Sequence, residues 1–442
     1  MAFIGNNVRF FFLPLAILLL SGIVSLTSCN SAATSDKVNA DSLTIITLKN
    51  TDKVSATDSA NIYNTSLHWY DSVLKRRGFN GGMIVTKNGS IIFEKYNGTA
   101  HIPGTDSITA NTPMHIASIT KTFTAMAALK LMQDGKLKLD DEFSKYFPAF
   151  NYPGVTIRSL LSHRSGLPNY NYFMETLGWD KSRYVSNYDI LNYLISRKAE
   201  LADITAPNTH FTYCNTNYAL LALLIEKVSG KTYADYLNHS FFTPLQMKNS
   251  YVFTLADSTK ATPSYTWRGQ KEPLIFLDLV YGDKNIYTTA RDLLTWDRAL
   301  SSNTIFTAET LEQAYSPYSN EKPGMRNYGL GWRMNLFPDG NKIIYHNGWW
   351  HGSNATFIRL IKEDATIIVI GNKFTRSIYH AKVLASLFGN YYSPVEEEGL
   401  EAVKDNLSLI ADSIVKIDSA SKLNTVKKKP VKRGSTVKSK KN

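Results

Sequence analysis

Segments with the pattern of β-strands lie near both ends of this chain, and a long helical stretch separates them. Gly82 to Tyr96 holds two apolar runs around Asn88-Gly89, which is a strong signal for a β-hairpin. Residues 118–300 are mainly helical in pattern. Strands return at 342–346, and a second hairpin is expected over 355–370. This order predicts an α+β fold.

Each of the two strand regions is flanked by a predicted helix. Ser59 to Arg77 has apolar residues at helical spacing, and Arg376 to Phe388 is expected to form a closing helix. With 442 residues, 43% of them hydrophobic, the chain is long and apolar enough to bury a large core.

The N-terminus has the features of an export signal. Arg9 precedes an apolar run from Phe10 to Leu26, which is short for a membrane span and contains Pro14. The run ends in Leu-Thr-Ser before Cys29, which resembles a bacterial lipobox. We therefore expect residues 1–28 to be a signal peptide and Cys29 to carry lipid. An ordinary cleaved signal, with Cys29 incidental, is the alternative. The expected location is the bacterial cell envelope, anchored by lipid and facing the periplasm or the exterior.

Three further segments are predicted to lie outside the folded domain, which is expected over residues 58–395. Residues 29–57 are polar and are interpreted as a tether, 396–425 as an extra helix, and 426–442 as a basic disordered tail. The tail carries eight positive charges and no acidic residue, out of a net charge of +12 for the chain. Such a run is usually solvated; attraction to anionic lipid or cell-wall polymer is the alternative. Nucleic acid is not an expected partner of an exported protein.

Ser118 and Lys121 form a Ser-x-x-Lys motif in a run of good helix formers that ends at Gly135, a predicted C-cap. On a helix the lysine lies one turn on and faces the serine. A serine hydroxyl is a weak nucleophile until a neighbouring base takes its proton. The motif alone is weak, because it recurs at Ser72, at Ser319 and in the C-terminal region. The helical context distinguishes Ser118.

Two other motifs would complete such a site. Tyr213 and Asn215 form Tyr-x-Asn, which supplies a phenol for proton transfer and an amide to hold a substrate carbonyl. His346-Asn347-Gly348 is expected in a turn on the opposite wall. Cys214, inside the second motif, is interpreted as an apolar filler rather than a redox group. With Cys29 lipidated it has no disulfide partner.

Three flanking stretches resemble a known family, the serine β-lactamase and penicillin-binding-protein superfamily. They are LKLDDEFSKYFP (Leu137 to Pro148), LLSHRSGLP (Leu160 to Pro168) and YCNTNYALLALLIEKVSGKTY (Tyr213 to Tyr233). Within the family the chain is similar to the Tyr-x-Asn branch, which holds class C β-lactamases, D-alanyl-D-alanine carboxypeptidases, D-aminopeptidases and esterases. The similarity runs from about Gly82 to Asn372. It implies an antiparallel sheet flanked by terminal helices, with an inserted helical lobe and the site in the cleft between.

The resemblance also implies roles for single residues. Ser118 would be the acylated nucleophile, and Lys121 would lower the pKa of Tyr213, which acts as base and then as acid; the division of this work stays open. The backbone N–H groups of Ser118 and Trp349 would form the oxyanion hole. Gly348 would allow substrate to approach the strand. No cofactor is implied, and the spacing of His346 and His351 is not that of a metal site.

His346 departs from the class C β-lactamases, which typically have lysine at this position. Histidine has a free pKa of about 6.5 and is mostly neutral at pH 7, so it would bind a substrate carboxylate less strongly. We therefore expect activity on carboxylate-bearing substrates to rise as the pH falls toward about 6. Tyr345, Trp349 and Trp350 border the motif. Core packing and a hydrophobic subsite are equally good interpretations of them.

The sequence thus predicts a serine hydrolase that acts through an acyl-enzyme on an amide or ester. D-amino-acid peptides, including those derived from peptidoglycan, are the leading substrates, with a carboxypeptidase-like or aminopeptidase-like reaction. A β-lactamase or a small-ester esterase is the alternative. An alternative of another class is a non-catalytic lipoprotein that binds the cell wall, although intact Ser118, Lys121 and Tyr213 argue against it.

Overall fold

The computed structural model describes residues 45–48 and 52–391. The predicted signal peptide, the lipidated Cys29, most of the tether, the extra helix 396–425 and the basic tail 426–442 lie outside the described residues. Within these two ranges, no helix combines the length and the apolar character needed to cross a membrane.

A seven-stranded antiparallel sheet joins the two ends of the described chain in the order β2-β1-β10-β9-β8-β7-β6. Its strands are β1 (Gly81–Lys87), β2 (Ser90–Asn97), β6 (Arg326–Tyr328), β7 (Arg333–Leu336), β8 (Lys342–Trp350), β9 (Ser353–Leu360) and β10 (Ala365–Gly371). The predicted N-terminal hairpin is present, with Asn88 and Gly89 at positive φ as its two-residue turn requires. β1 then pairs with β10 of the second hairpin, Ile84 opposite Ile368.

The two faces of the sheet are covered differently. On one face lie helix α1 (Ala56–Trp69) and a closing 3₁₀ helix (Arg376–Leu387), which pack on apolar side chains such as Val85, Ile358 and Ile367. The other face contributes Ile84, Phe357 and Ile368 to the core of a helical lobe. The structure therefore has the predicted α+β architecture, an antiparallel sheet with terminal helices and an inserted lobe.

The lobe is built around two helices that are buried on almost all sides. They are α2 (Thr120–Gln133) and α6 (Asn215–Ser229), and Thr216 to Ile225 is buried throughout. A helix with this pattern belongs in a core. α2 ends as predicted: Gly135 has φ +71°, and the Lys136 N–H donates to the Leu131 carbonyl at 2.9 Å, a Schellman cap. The remaining helices are α3 (Ile157–Leu161), α4 (Tyr170–Thr176), α5 (Asn187–Ser196), α7 (Tyr233–Leu237), α8 (Ala290–Ser301) and α9 (Ala308–Ala314).

The structure differs from the sequence prediction at the start of the domain. Ile45 to Leu48, interpreted as tether, docks on the lobe: the Ile46 N–H donates to the Pro244 carbonyl at 2.9 Å. Its apolar side chains account for this, because Ile46 and Leu48 pack against the lobe core. α1 also begins earlier than expected, at Ala56, since Ser55 caps it by accepting from the Asp58 N–H.

The strands also differ from expectation in two respects. His346-Asn347-Gly348 is not a turn, because β8 continues to Trp350 and pairs with β9 over its whole second half. The helical middle contains a small sheet in the order β3-β5-β4, with β3 (Met114–His115), β4 (Tyr251–Val252) and β5 (Ile286–Thr288). Strands of two or three residues are too short to show the alternation of apolar and polar residues by which a strand is recognised in a sequence.

Candidate active site

Ser118 lies in a 3₁₀ turn that leads directly into α2, with Lys121 in the first turn of that helix. The Lys121 Nζ donates to the Ser118 Oγ at 3.0 Å and to the Asp283 carbonyl at 2.8 Å. Lys121 is buried, whereas Ser118 is partly exposed. The predicted serine–lysine pair is therefore formed, with a partly exposed serine and a buried lysine.

The backbone just before Ser118 is strained. Ala117 has φ +46°, in the left-handed region that costs an alanine roughly 1–2 kcal/mol. Residues held in such conformations concentrate at functional sites. β5 holds this segment on one side, because the Ile116 N–H donates to the Ile286 carbonyl at 3.0 Å.

Tyr213 and Asn215 lie at the start of α6, beside the serine–lysine pair. The Lys121 Nζ is 5.1 Å from the centre of the Tyr213 ring. Asn215 is the first residue of α6, and its Nδ2 donates to the Asn171 Oδ1 at 3.2 Å. Its Oδ1 is buried and has no hydrogen-bond partner among the described residues. The amide thus keeps a free acceptor and a second N–H for a bound molecule.

His163 braces the Tyr213 loop from below. It is buried, its ring centre is 4.4 Å from that of Tyr213, and its Nδ1 accepts the Cys214 N–H at 3.1 Å. Burial, together with the charge of Lys121, holds the pKa of His163 well below its usual value. The imidazole is therefore neutral, and the sequence motif gave no sign of its contact with Tyr213.

β8 forms the opposite wall and touches the Ser118 segment at Gly348. A Cβ added to Gly348 would lie 2.2 Å from the Ile116 carbonyl oxygen. The sequence analysis expected Gly348 to allow substrate to approach the strand. In the structure, the lack of a side chain at Gly348 leaves room for the main chain that leads to Ser118. The adjacent Trp349 is partly exposed, and its Nε1 donates to the His351 carbonyl at 2.7 Å.

His346 is buried and neutral, which contradicts the predicted pH dependence. Its Nδ1 donates to the Asn347 carbonyl at 2.7 Å, and its Nε2 accepts from the Tyr328 hydroxyl at 3.2 Å. Burial, reinforced by the charges of Arg333 and Lys121, holds the pKa of His346 well below 6.5. The pKa shift of His346 therefore removes the basis on which a rise in activity toward pH 6 was predicted.

Arg333 supplies the permanent positive charge that His346 does not, and the sequence analysis missed it. It begins β7 and pairs in register with Tyr345 of β8. Its Cζ lies 4.9 Å from the centre of the Tyr213 ring, and its side chain is partly exposed. The stretch YGLGW (Tyr328 to Trp332) ends one residue before it. No motif contains Arg333; the pairing of β7 with β8 brings it to the site.

Several bordering residues have structural partners. The Trp350 Nε1 donates to the Asp278 Oδ1 at 2.5 Å, and Trp350 and Tyr345 are 8% and 2% exposed, which favours core packing over a hydrophobic subsite. His351 lies apart from His346 and bonds Asp278 and Glu272.

Cys214 is a buried free thiol whose burial raises its pKa to about 11, in agreement with the filler interpretation.

Comparison with known proteins agrees with this fold. The family model described as Beta-lactamase matches residues 69–384. Penicillin-binding protein 4* of Bacillus subtilis is 30% identical over 348 residues, which cover 74% of this chain and 76% of that protein. Protein flp of Staphylococcus aureus is 26% identical over 66% of this chain, although the match spans 59% of its own length. The crystal structure of a penicillin-binding protein from Bacillus halodurans superposes with a TM-score of 0.64 at 23% identity, over 73% of this chain and 99% of that one.

The family model and the curated relative define the class of penicillin-binding-protein-like serine hydrolases. The chain belongs to the serine β-lactamase and penicillin-binding-protein superfamily, as the family match over residues 69–384 shows.

Proposed function

We propose that this protein hydrolyses amide bonds in D-amino-acid peptides, including those derived from peptidoglycan, whose leaving group ends in a carboxylate. The observation that carries the proposal is the position of Arg333, a permanent cation 4.9 Å from the ring centre of Tyr213. The similarity to proteins named for penicillin binding supports the acyl-enzyme route. The reaction is thus of the carboxypeptidase type.

Acylation begins with attack of the Ser118 Oγ on the substrate carbonyl. Lys121 and Tyr213 together take the hydroxyl proton, since the Lys121 Nζ contacts both the hydroxyl and the face of the Tyr213 ring. The backbone N–H groups of Ser118 and Trp349 stabilise the oxyanion. Asn215 holds the carbonyl side of the acyl group through its amide. The C–N bond then breaks, the amine leaves with the proton, and water later cleaves the ester on Ser118.

The leaving group must lie beside the group that protonates its nitrogen, which is Tyr213 in this scheme. Lys121 and Arg333 contact the same tyrosine ring, and Lys121 also donates a hydrogen bond to the Ser118 hydroxyl. Arg333 therefore faces the leaving group. A guanidinium matches a carboxylate in charge and in hydrogen-bond geometry, so Arg333 selects peptides with a free C-terminus.

Intact mass spectrometry with benzylpenicillin, alongside Ser118→Ala, tests the acyl-enzyme. We expect a covalent adduct on the wild type and none on the variant. A persistent adduct fits a peptidase, whereas rapid loss with consumption of the antibiotic would indicate a β-lactamase instead. Failure to form any adduct, together with full cell-wall binding by Ser118→Ala, would favour the non-catalytic alternative.

Arg333→Gln tests the substrate class. Charge-assisted hydrogen bonds contribute about 1.5–3 kcal/mol, so kcat/KM for an N-acyl-D-alanyl-D-alanine should fall roughly 10- to 100-fold. The C-terminal amide of the same peptide should react equally with both proteins. Arg197→Gln, which removes an arginine paired with Glu200 on the surface, is the matched control. Equal losses on the acid and the amide would refute carboxylate recognition by Arg333.

We also propose that the protein works at the cell envelope, held by lipid on Cys29. This proposal is supported by the apolar run that ends at that cysteine. Cys29→Ala should move the protein from the membrane fraction to the soluble fraction, which immunoblotting of fractionated cells would reveal.

A further inference from the structure

A two-residue turn joins β8 to β9, and His351 is its first residue. His351 has φ +50°, in the left-handed region that residues with a side chain seldom adopt. Gly352 follows, and a Cβ there would lie 1.9 Å from the Tyr265 carbonyl oxygen. The Trp349 Nε1 donates to the His351 carbonyl at 2.7 Å. The turn is therefore closely fitted, and it is bonded to the residue whose N–H is assigned to the oxyanion hole.

The imidazole of His351 bridges two carboxylates of the segment that precedes β5. Its Nδ1 donates to the Glu272 Oε2 at 3.1 Å, and its Nε2 lies 3.0 Å from both Asp278 oxygens. Burial opposes a charge on this ring, but the hydrogen bonds to Asp278 and Glu272 outweigh burial and raise the pKa of His351 to about 9. The ring is therefore an imidazolium at pH 7, and both of its N–H groups donate.

Asp278 also holds the last residue of β8. Its Oδ1 accepts the Trp350 Nε1 at 2.5 Å, and its Oδ2 accepts the Ile275 N–H at 2.5 Å. The Lys284 Nζ lies 4.6 Å from the centre of the Trp350 ring. Asp278 and Lys284 are both buried. The segment 272–284 thus contacts the end of β8 through charged groups that water does not screen.

The same segment positions Lys121. It continues to Asp283, whose carbonyl accepts the Lys121 Nζ at 2.8 Å. Two residues further on, the Asn285 N–H donates to the Nε2 of His115, on β3, at 3.2 Å. One continuous segment therefore connects the amine that bonds Ser118 with the end of β8.

We propose that His351 is a positioning residue for the acyl-transfer reaction. Held between Glu272 and Asp278, its imidazolium fixes the end of β8, and with it the Trp349 N–H, relative to the segment that holds Lys121. The inference rests on the proposed function, because it takes formation of an acyl-enzyme as the reaction. A neutral imidazole has a single N–H, so it would face one of the two carboxylates with a lone pair and release that side.

His351→Asn tests this role through the pH dependence of acylation. Removing one oxyanion-hole donor costs roughly 10²–10³ in rate, so a displaced Trp349 N–H should slow acylation by benzylpenicillin about 30-fold at pH 7. The imidazolium of the wild type loses its second N–H as the pH rises through about 9, and its advantage disappears with it. The ratio of the wild-type rate to the variant rate should therefore fall severalfold between pH 8 and pH 10, as measured by stopped-flow pH jumps.

A ratio of rates removes the effect of groups that titrate alike in both proteins. The titratable side chains around His351 are Glu272, Asp278, His115, Lys271, Tyr184 and Tyr287, with Lys284 on the far side of Trp350. All of them are present in the wild type and in the variant, as are Lys121 and Tyr213. Burial lowers the pKa of His115 to about 3, so this ring stays neutral throughout the range.

Glu272→Gln is a second variant, for the case that His351→Asn does not fold. It keeps the imidazole and changes a partly exposed side chain. Loss of one neighbouring charge should lower the pKa of His351 by about one unit, so acylation should drop below the wild-type rate chiefly between pH 8 and pH 9. His101→Asn removes a surface histidine that is paired with Asp106, and this matched control should leave the rate and its pH profile unchanged.

The outcomes separate this inference from the proposed reaction. If the rate ratio for a folded His351→Asn is the same at pH 7 and pH 10, or Glu272→Gln follows the wild-type profile, the positioning role is wrong, whichever peptides are cleaved. If acylation shows the expected pH dependence but no D-alanyl-D-alanine peptide is cleaved, the proposed substrate fails and the positioning role stands. If benzylpenicillin does not react, peptide cleavage gives the same ratio; if neither reagent acylates Ser118, both proposals are overturned.

Discussion

Burial, more than residue type, sets the charge of the two histidines beside Ser118. His163 and His346 are both enclosed, and burial lowers the pKa of each. A positive charge at either position would repel Lys121. The site therefore holds neutral imidazoles as hydrogen-bonding supports, whereas Arg333 beside the Tyr213 ring stays charged at any physiological pH.

The first prediction concerns pH. Because the pKa of His346 is lowered, its charged form appears only well below pH 6.5, and Arg333 is charged throughout. The ratio of kcat/KM for an acid peptide to that for its amide should stay constant between pH 8 and pH 6. Steady-state assays over this range measure it. If this ratio rises severalfold toward pH 6, His346 becomes charged in that range and the prediction is wrong.

A second prediction assigns His163 a positioning role. His163→Phe keeps a ring against Tyr213 but leaves the Cys214 N–H without its acceptor, at a cost of about 1–3 kcal/mol. The resulting shift of the Tyr213 loop should lower kcat more than tenfold and change KM less than threefold. Cys214→Ala, which keeps the N–H, should stay within twofold. Wild-type kcat in a folded His163→Phe protein, checked by circular dichroism, would disprove this role.

The sequence predicted those site residues that lie in motifs. Ser118 and Lys121 face each other because helix geometry fixes three-residue spacing, and Tyr213 and Asn215 follow from a second local motif. Arg333 and Asn171 could not be predicted, because each reaches the site through a long-range pairing. The charge state of His346 could not be predicted from the sequence either, because it depends on burial, which is set by the fold.

At the level of elements, β8 determines the shape of the site. Its residues His346 to Trp350 extend past the last pairing with β7, at Tyr345, and remain paired with β9. Gly348 in this extension meets the Ile116 carbonyl. The wall opposite Ser118 is thus the end of β8. It is hydrogen-bonded to β9 along one edge, and at Gly348 it contacts the main chain that leads to Ser118.

A third prediction follows for Gly348→Ala. Its Cβ would lie 2.2 Å from the Ile116 oxygen, so the strand and the Ser118 segment must separate. The rate of acylation by benzylpenicillin should fall at least 100-fold, since small displacements at a reacting centre have large effects. Asn347→Ala, one residue away on the other face of β8, loses a hydrogen bond from Thr356 and should react within about threefold of wild type. Stopped-flow kinetics would measure both, and unimpaired acylation of Gly348→Ala would contradict the argument.

Elements with strong local signals were predicted well. The Asn-Gly hairpin, the second hairpin and the Gly135 end of α2 all depend on neighbours in sequence. The extension of β8 and the docking of Ile45 to Leu48 depend on partners far along the chain, β9 and Pro244, which a local pattern does not reveal.

For the whole molecule, a buried arginine ties the sheet to the helical lobe. Arg359 of β9 bonds the Asp297 side chain of α8 and the Tyr315 hydroxyl, and its Nη2 is 3.0 Å from the Ser301 Oγ. Thr366 of β10 donates to the other Asp297 oxygen at 2.6 Å. Arg359 and Asp297 are 2% and 5% exposed, so neither charge is solvated.

The fourth prediction tests this tie. Arg359→Met leaves the Asp297 carboxylate buried without its cation and should reduce the free energy of unfolding by about 3–5 kcal/mol. Arg359→Met/Asp297→Asn removes the stranded charge and should recover part of that loss. Arg291→Gln, which breaks an exposed pair with Glu94, should change stability by less than about 1 kcal/mol. Urea unfolding of the three variants measures these values; equal losses for the single and double variants would argue against a stranded charge.

The contact at Gly348 also bears on how such a protein can change its substrate over evolutionary time. Main-chain atoms on both sides fix the distance between Ser118 and the wall that faces it, so ordinary side-chain substitutions leave that distance alone. The segment Asn320 to Gly324, by contrast, is exposed along its length. Substitutions can accumulate there while the distance between Ser118 and the facing wall is inherited unchanged.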